Sequence, residues 1–151
     1  MPAQHILVPI DFSPDADTAL TQAMALALAL DARLTLLHVI HMMPLTVGEV
    51  PPFHLDAYME ELENDAQQQM QITLQRVHRA GLQGDSAIVH GVPFDTIVDM
   101  ARDEKVDMIV MGTHGRTGLP HALMGSVAEK VVRLAPCPVL VSREKCLVPT
   151  T

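Results

Sequence analysis

Short runs of the chain are apolar on successive residues rather than on alternate ones: Ile6-Leu7-Val8-Pro9-Ile10, Leu34-Thr35-Leu36-Leu37-His38-Val39-Ile40, Met108-Ile109-Val110-Met111 and Val139-Leu140-Val141. Each has the length of a strand, and a strand without a polar face must be covered on both sides. The stretches between these runs carry helical periodicity, so strands and helices alternate along the chain. A further strand is expected around Ser86 to Val89. Right-handed crossovers between parallel strands then leave one leading architecture. It is a doubly wound, Rossmann-like α/β sandwich of three layers, with a five-stranded parallel sheet and four helices.

The helices announce themselves at their ends. Ser13 as N-cap, Pro14 as first helical residue and the acids Asp15 and Asp17 in the first turn open a helix that runs to about Leu30. Between Asp56 and Ala80 the apolar positions Met59, Leu62, Ala66, Val77 and Ala80 share one helical face, and Gly81 ends the segment. Pro93 opens the next helix, with its face at Phe94, Ile97, Val98 and Ala101, and the last runs from Gly125 to Leu134. From His41 to Phe53 the prolines and glycine at 44, 48, 51 and 52 predict a loop or flap. With no linker or internal repeat, residues 1–151 read as a single domain, its core at about 5–143 and its tail, from about Lys145, frayed.

Composition narrows the function classes. Ten Lys and Arg against 18 Asp and Glu give a net charge of −8, which offers no footprint for a phosphate backbone and excludes nucleic acid as the main partner. Only Cys137 and Cys146 are available, and they are expected as free thiols in a reducing compartment. The apolar stretch from Ala23 stops at Asp31, far short of the roughly 20 residues of a membrane span, and the N-terminus lacks a basic signal start. These features place the protein in the cytoplasm, away from membranes.

In doubly wound sheets ligands bind beyond the carboxyl ends of the strands. The connection after the fourth strand, Gly112-Thr113-His114-Gly115-Arg116-Thr117-Gly118-Leu119-Pro120-His121-Ala122-Leu123-Met124-Gly125-Ser126, has the logic of a phosphate cradle. It is neither a Walker A sequence nor a G-x-G-x-x-G fingerprint. Gly112 and Gly115 let the backbone turn tightly and approach a ligand, and a helix starting at Gly125 and Ser126 presents free N–H groups to an anion. Arg116 is the loop's cation and reaches toward an outer phosphate.

The spacing of Gly112, Gly115 and Gly125-Ser126 resembles the ATP-binding pattern of the universal stress protein family. The likeness extends to Ile6 through Asp11, Leu36-Leu37-His38-Val39, His90-Gly91-Val92-Pro93 and Cys137 through Val141, covering Ile6 to about Arg143. The resemblance implies a fold like that of the adenine nucleotide alpha hydrolases and a site made of Pro9, Asp11, Val39, Met111, Gly112, His114, Gly115, Arg116, Gly125, Ser126 and Val127. Within it, Asp11 takes a ribose hydroxyl and the backbone of Val39 meets the adenine edge. The glycines, Ser126 and Val127 surround the phosphates, with His114 and Arg116 near the triphosphate. It further implies ATP accompanied by Mg²⁺ or Mn²⁺, and a homodimer joined through Val139, Leu140 and Val141. The segment Ile40-His41-Met42-Met43 departs from the acid-containing versions of the pattern.

Plainer readings stand beside these. Ser126 and Glu129 form a capping box that stabilises a helix without any ligand, and Asp11 is suited to capping its own turn. The eight histidines lack the spacing of a zinc site, and His38 reads as a satisfied strand residue. His114 and His121 are the histidines placed for ligand contact, Met24, Met59, Met100 and Met108 read as packing, and Met42 and Met43 as a cover for a base. A regulatory or structural ATP-binding protein of the stress response is the leading function. The alternatives are a slow ATP hydrolase or nucleotidyl-transfer enzyme using the same cleft, and a partner-binding dimer whose cleft stays empty.

Overall fold

The computed structural model describes residues 3–41, 52–113 and 124–143, with the backbone alone at 52–54. Along the chain these form β1 (His5–Pro9), α1 (Pro14–Leu30), β2 (Arg33–His41), α2 (Pro52–Arg79), β3 (Gly84–Gly91), α3 (Pro93–Asp103), β4 (Met108–Gly112), α4 (Ser126–Leu134) and β5 (Val139–Ser142). The five strands make one parallel sheet in the order β3-β2-β1-β4-β5. Four helices and five parallel strands match the architecture read from the apolar runs. The loop or flap expected from His41 to Phe53 is shorter than that, because His41 ends β2 and Pro52 and Phe53 open α2; its remainder, 42–51, and the tail at 144–151 lie outside the described residues.

Alternate strand residues feed two separate cores. Ile6, Val8, Leu34, Leu36 and Val110 pack against Ala19, Leu20, Ala23 and Ala27 of α1 and Met70 and Val77 of α2. On the opposite face Leu7, Leu37, Ile109 and Met111 pack against Ile97, Val98 and Ala101 of α3 and Ala128 and Val131 of α4. The sheet is therefore the middle of three layers, which is why β1, β2 and β4 carry no polar face. β3 is an edge strand with Asp85, Ser86 and His90 exposed, so it lacks the unbroken apolar run of the inner strands and extends beyond the expected Ser86 to Val89.

Local signals set the helix ends. Ser13 caps α1 as expected, its hydroxyl accepting the Ala16 N–H at 3.2 Å, and Asp31 ends that helix in the left-handed conformation with φ 54°. α2 starts at Pro52, earlier than expected, because proline suits a first turn that has no partner for its N–H. Burial on α2 begins at Ala66 and continues through Met70 and Val77; Leu62 is 37% exposed and Ala80 lies past the helix end in solvent. The predicted face of α3 holds, with Ile97, Val98 and Ala101 buried.

At the amino ends of the strands a chain of polar side chains crosses three strands. Arg33 donates to His5 Nδ1 at 3.1 Å, His5 Nε2 donates to Thr35 Oγ1 at 2.8 Å, and Thr35 donates to Asp85 Oδ1 at 2.6 Å. Asp107 Oδ2 accepts the N–H groups of Gln4 and His5, each at 3.0 Å. Burial, reinforced by the Arg33 charge, holds the His5 imidazole below its usual value, so the neutral ring is the form this chain accommodates. Nearby Cys137 is a free thiol that burial and then Asp107 push up. Cys146 lies outside the described residues.

Candidate functional site

The order of the strands creates a site at their carboxyl ends. From β1 the chain crosses to β2 through α1 on one face of the sheet, and from β4 it crosses to β5 through α4 on the other. Between the neighbours β1 and β4 the connections diverge, and a cleft opens there. It encloses about 180 Å³ and is lined by Pro9, Ile10, Asp11, Ala16, Leu37, Val39, Pro93, Ile97, Met111, Gly112, Thr113, Gly125, Ser126, Val127 and Ala128.

Eight of the expected site residues, Pro9, Asp11, Val39, Met111, Gly112, Gly125, Ser126 and Val127, thus converge on one cleft from four separate parts of the chain. His114, Gly115 and Arg116 lie outside the described residues, as do Met42, Met43 and His121. Sequence reasoning passed over the apolar walls, because Ile10, Leu37 and Ile97 read only as core and Pro93 only as a helix start. It also gave Thr113 no role. Thr113 donates through both its N–H and its hydroxyl to the Ser142 carbonyl, each at 2.8 Å, and its own carbonyl accepts the Gly125 N–H at 2.8 Å. The two ends of the connection are clasped together there.

Asp11 does serve its own turn, as the plainer reading held: Oδ1 accepts the Ser13 N–H at 3.0 Å. Oδ2 has no partner among the described residues. Among the described lining residues, Asp11 carries the only ionisable side chain.

Gly112 is required for a reason other than the tight turn expected of it. Its φ is not in the left-handed region, but a Cβ there would sit 2.8 Å from the Asp15 carbonyl carbon, 2.9 Å from Asp15 Cβ and 3.0 Å from the Ala16 nitrogen. The demand is steric: the start of α1 presses directly on the end of β4.

The capping box expected at Ser126 is absent. Gly125 is the N-cap, with φ −62° and ψ 156° and no side-chain capping bond, and its carbonyl accepts the first helical N–H, from Glu129, at 3.0 Å. Because Thr113 fixes Gly125, the helix begins one residue earlier than the box requires. Ser126 then falls inside the first turn, while Glu129 accepts from Arg133 at 3.0 Å. The N–H groups of Ser126, Val127 and Ala128 precede that first helical bond, and all three residues line the cleft.

Among the described residues no group of three His, Cys, Asp or Glu is placed to hold a metal ion, and no helix is long and apolar enough to cross a membrane. His38 is satisfied within the fold, bonded through Nδ1 to the Ile10 carbonyl.

Residues 2–143 match the model of the universal stress protein family. The chain belongs to the universal stress protein family. It is 34% identical over 141 residues to a universal stress protein of Methanocaldococcus jannaschii, covering 93% of this chain and 82% of that one. The solved universal stress protein UspA of Lactobacillus plantarum is 32% identical, with a TM-score of 0.81 over 95% of this chain and 99% of that one. A universal stress protein of Archaeoglobus fulgidus solved in complex with dAMP shares the fold at 23% identity, with a TM-score of 0.68 over 94% of this chain and 99% of that one. The universal stress protein fold in this chain thus carries its glycine-edged cleft at the divergence of β1 and β4.

Proposed function

We propose that this universal stress protein binds ATP in the cleft and holds it as a regulatory or structural ligand. The observation that carries the reading is the composition of the lining: apolar walls, one carboxylate with an oxygen to spare, and a helix start whose N–H groups open into the same space. Apolar walls with a few convergent polar groups suit a base and its sugar, and a helix N-terminus suits phosphates. Asp11 takes a ribose hydroxyl, the Val39 backbone meets the adenine edge, and Pro9 and Met111 line the same cleft. Gly112, Gly115, Gly125, Ser126 and Val127 surround the phosphates, with His114 and Arg116 near the triphosphate. Mg²⁺ or Mn²⁺ on the phosphates supplies charge neutralisation. That the same fold holds dAMP in an Archaeoglobus fulgidus relative supports an adenine nucleotide here.

The reading includes a homodimer in the cytoplasm. β5 is an edge strand, and Leu140 on it is 39% exposed, which suits pairing through Val139, Leu140 and Val141. Light scattering of the purified chain tests that assembly.

The nucleotide reading is tested on freshly purified protein. The protein is denatured, the supernatant is resolved by ion exchange, and added ATP is followed over hours with Mg²⁺ or Mn²⁺. Bound ATP that persists is the expected result. Rapid appearance of ADP or AMP favours a hydrolase or nucleotidyl-transfer enzyme in the same cleft, and no bound or bindable nucleotide overturns the proposal.

A further inference from the structure

The two neighbours of Asp11 are both tied to one side chain on the adjacent strand. The Ile10 N–H donates to the Leu37 carbonyl at 2.7 Å, and the Ile10 carbonyl accepts from His38 Nδ1 at 2.7 Å. A carbonyl only accepts, so Nδ1 carries the hydrogen, as it does in one neutral tautomer and in the imidazolium alike. On the other side of Asp11, the Phe12 ring lies against the same imidazole, with centroids 4.7 Å apart and planes inclined by 38°.

Phe12 is also strained. Its φ is 62°, a left-handed conformation that a bulky L residue keeps only where its surroundings impose it. The consequence of that conformation is the short turn in which Ser13 donates to Asp11 Oδ1. With one carboxylate oxygen consumed by the turn, the direction of the other is set by the turn.

We infer that His38 is a positioning residue for Asp11, holding the left-handed turn at Phe12 from both sides so that the free carboxylate oxygen is aimed at the nucleoside. This rests on the reading of the cleft as an adenine-nucleotide site. Removing the imidazole takes a donor from the Ile10 carbonyl and a ring partner from Phe12 together, and the turn relaxes toward ordinary φ. The phosphate end is anchored independently, through Thr113 and Gly125, so the effect falls on the nucleoside alone.

The test is titration calorimetry of the full chain with Mg-ATP and with Mg-tripolyphosphate, for the wild type, H38L, H38N, H38Q, D11A and D11A/H38L. H38L is expected to weaken ATP about tenfold, the effect of one lost hydrogen bond with its packing, and to leave tripolyphosphate unchanged. In H38N the amide N–H takes the place of Nδ1 and restores ATP binding to within about threefold, whereas H38Q carries its donor one methylene too far and does not. The N and Q variants, equal in polarity, decide the matter if H38L does not fold. In the D11A background H38L costs no further affinity. Equal losses for both probes, losses of D11A and H38L that multiply, or H38N no better than H38Q overturn the inference while leaving the nucleotide site standing. A wild type that binds no ATP overturns the reading of the cleft, and the role of His38 with it.

Discussion

The two ends of the sheet use polar groups in opposite ways. At the amino ends, Arg33, His5, Thr35 and Asp85 bond to one another in series and Asp107 takes two main-chain N–H groups, so donors and acceptors are consumed within the fold. At the carboxyl ends, an Asp11 oxygen and the first N–H groups of α4 are left without partners among the described residues, and the residues that carry them line a cleft. Both ends belong to the same strands, and neither arrangement follows from their apolar runs. A closed polar chain contributes to stability; open polar groups beside apolar walls are positioned for a ligand at the expense of stability. Substitutions at the two ends should therefore separate binding from folding.

The sharpest break in that separation is expected at Gly112, where the site and the packing of α1 coincide. Gly112→Val drives a side chain into the backbone of Asp15 and Ala16. It is expected to cost about 3 kcal/mol of stability, in the range of severe overpacking, and to abolish ATP binding. Denaturant unfolding alongside calorimetry checks both, and a variant of unchanged stability would show that α1 yields easily.

Gly125→Val should isolate the ligand end. The φ of −62° and ψ of 156° at Gly125 are open to valine, so stability should change by less than about 1 kcal/mol. The new side chain enters the cleft, and ATP affinity is expected to fall by about tenfold or more. Unchanged affinity would place the phosphates away from α4.

The amino end should answer to pH instead of ligand. His5 is held below the ordinary imidazole value of 6.5 by burial and then by Arg33, so between its folded value and 6.5 the unfolded chain carries more proton. Stability is therefore flat above about pH 6.5 with respect to this group and declines as pH falls below it. His5→Gln should remove that part of the acid slope in chemical denaturation and leave ATP affinity at neutral pH unaltered. An identical slope in the variant would assign the acid sensitivity elsewhere.

The smallest effect is expected at Ser142, whose buried hydroxyl has no partner among the described residues. Ser142→Ala retains the carbonyl that Thr113 uses and removes only the unpaired group. It should be neutral or stabilising by up to about 1 kcal/mol, with ATP affinity preserved. A clear loss in a thermal melt would reveal a partner for that hydroxyl.

The sequence carried most of the fold and only the outline of the site. Inner strands were legible because burial on both faces leaves no polar residue to confuse the pattern, as in Ile6 to Ile10, while the edge strand β3 was shortened in the reading because Asp85, Ser86 and His90 face solvent. The start of α1 was legible at Ser13 and Pro14 because capping is local chemistry. The start of α4 near Gly125 was legible too, but its capping box was misread for the converse reason: Gly125 is set by Thr113 across the connection, a contact between residues far apart in sequence, which overrides the local attraction of Ser126 and Glu129 for a capping box. Asp11 was placed at the site by its position after β1, but nothing near it in sequence indicates that His38, on another strand, grips both its neighbours.

The Thr113 clasp has a consequence for communication within the molecule. Its anchor is the carbonyl of Ser142, the last residue of the edge strand β5, so the mouth of the cleft, which continues from the inner strand β4, is fastened to the rim of the sheet as well. A load placed on that rim by a second chain would be felt at the loop. Thermodynamic reciprocity then requires that filling the cleft change the affinity of the rim for its neighbour by the same factor. A nucleotide held without being consumed would in that way become a message, with the number of chains in the assembly as its readout.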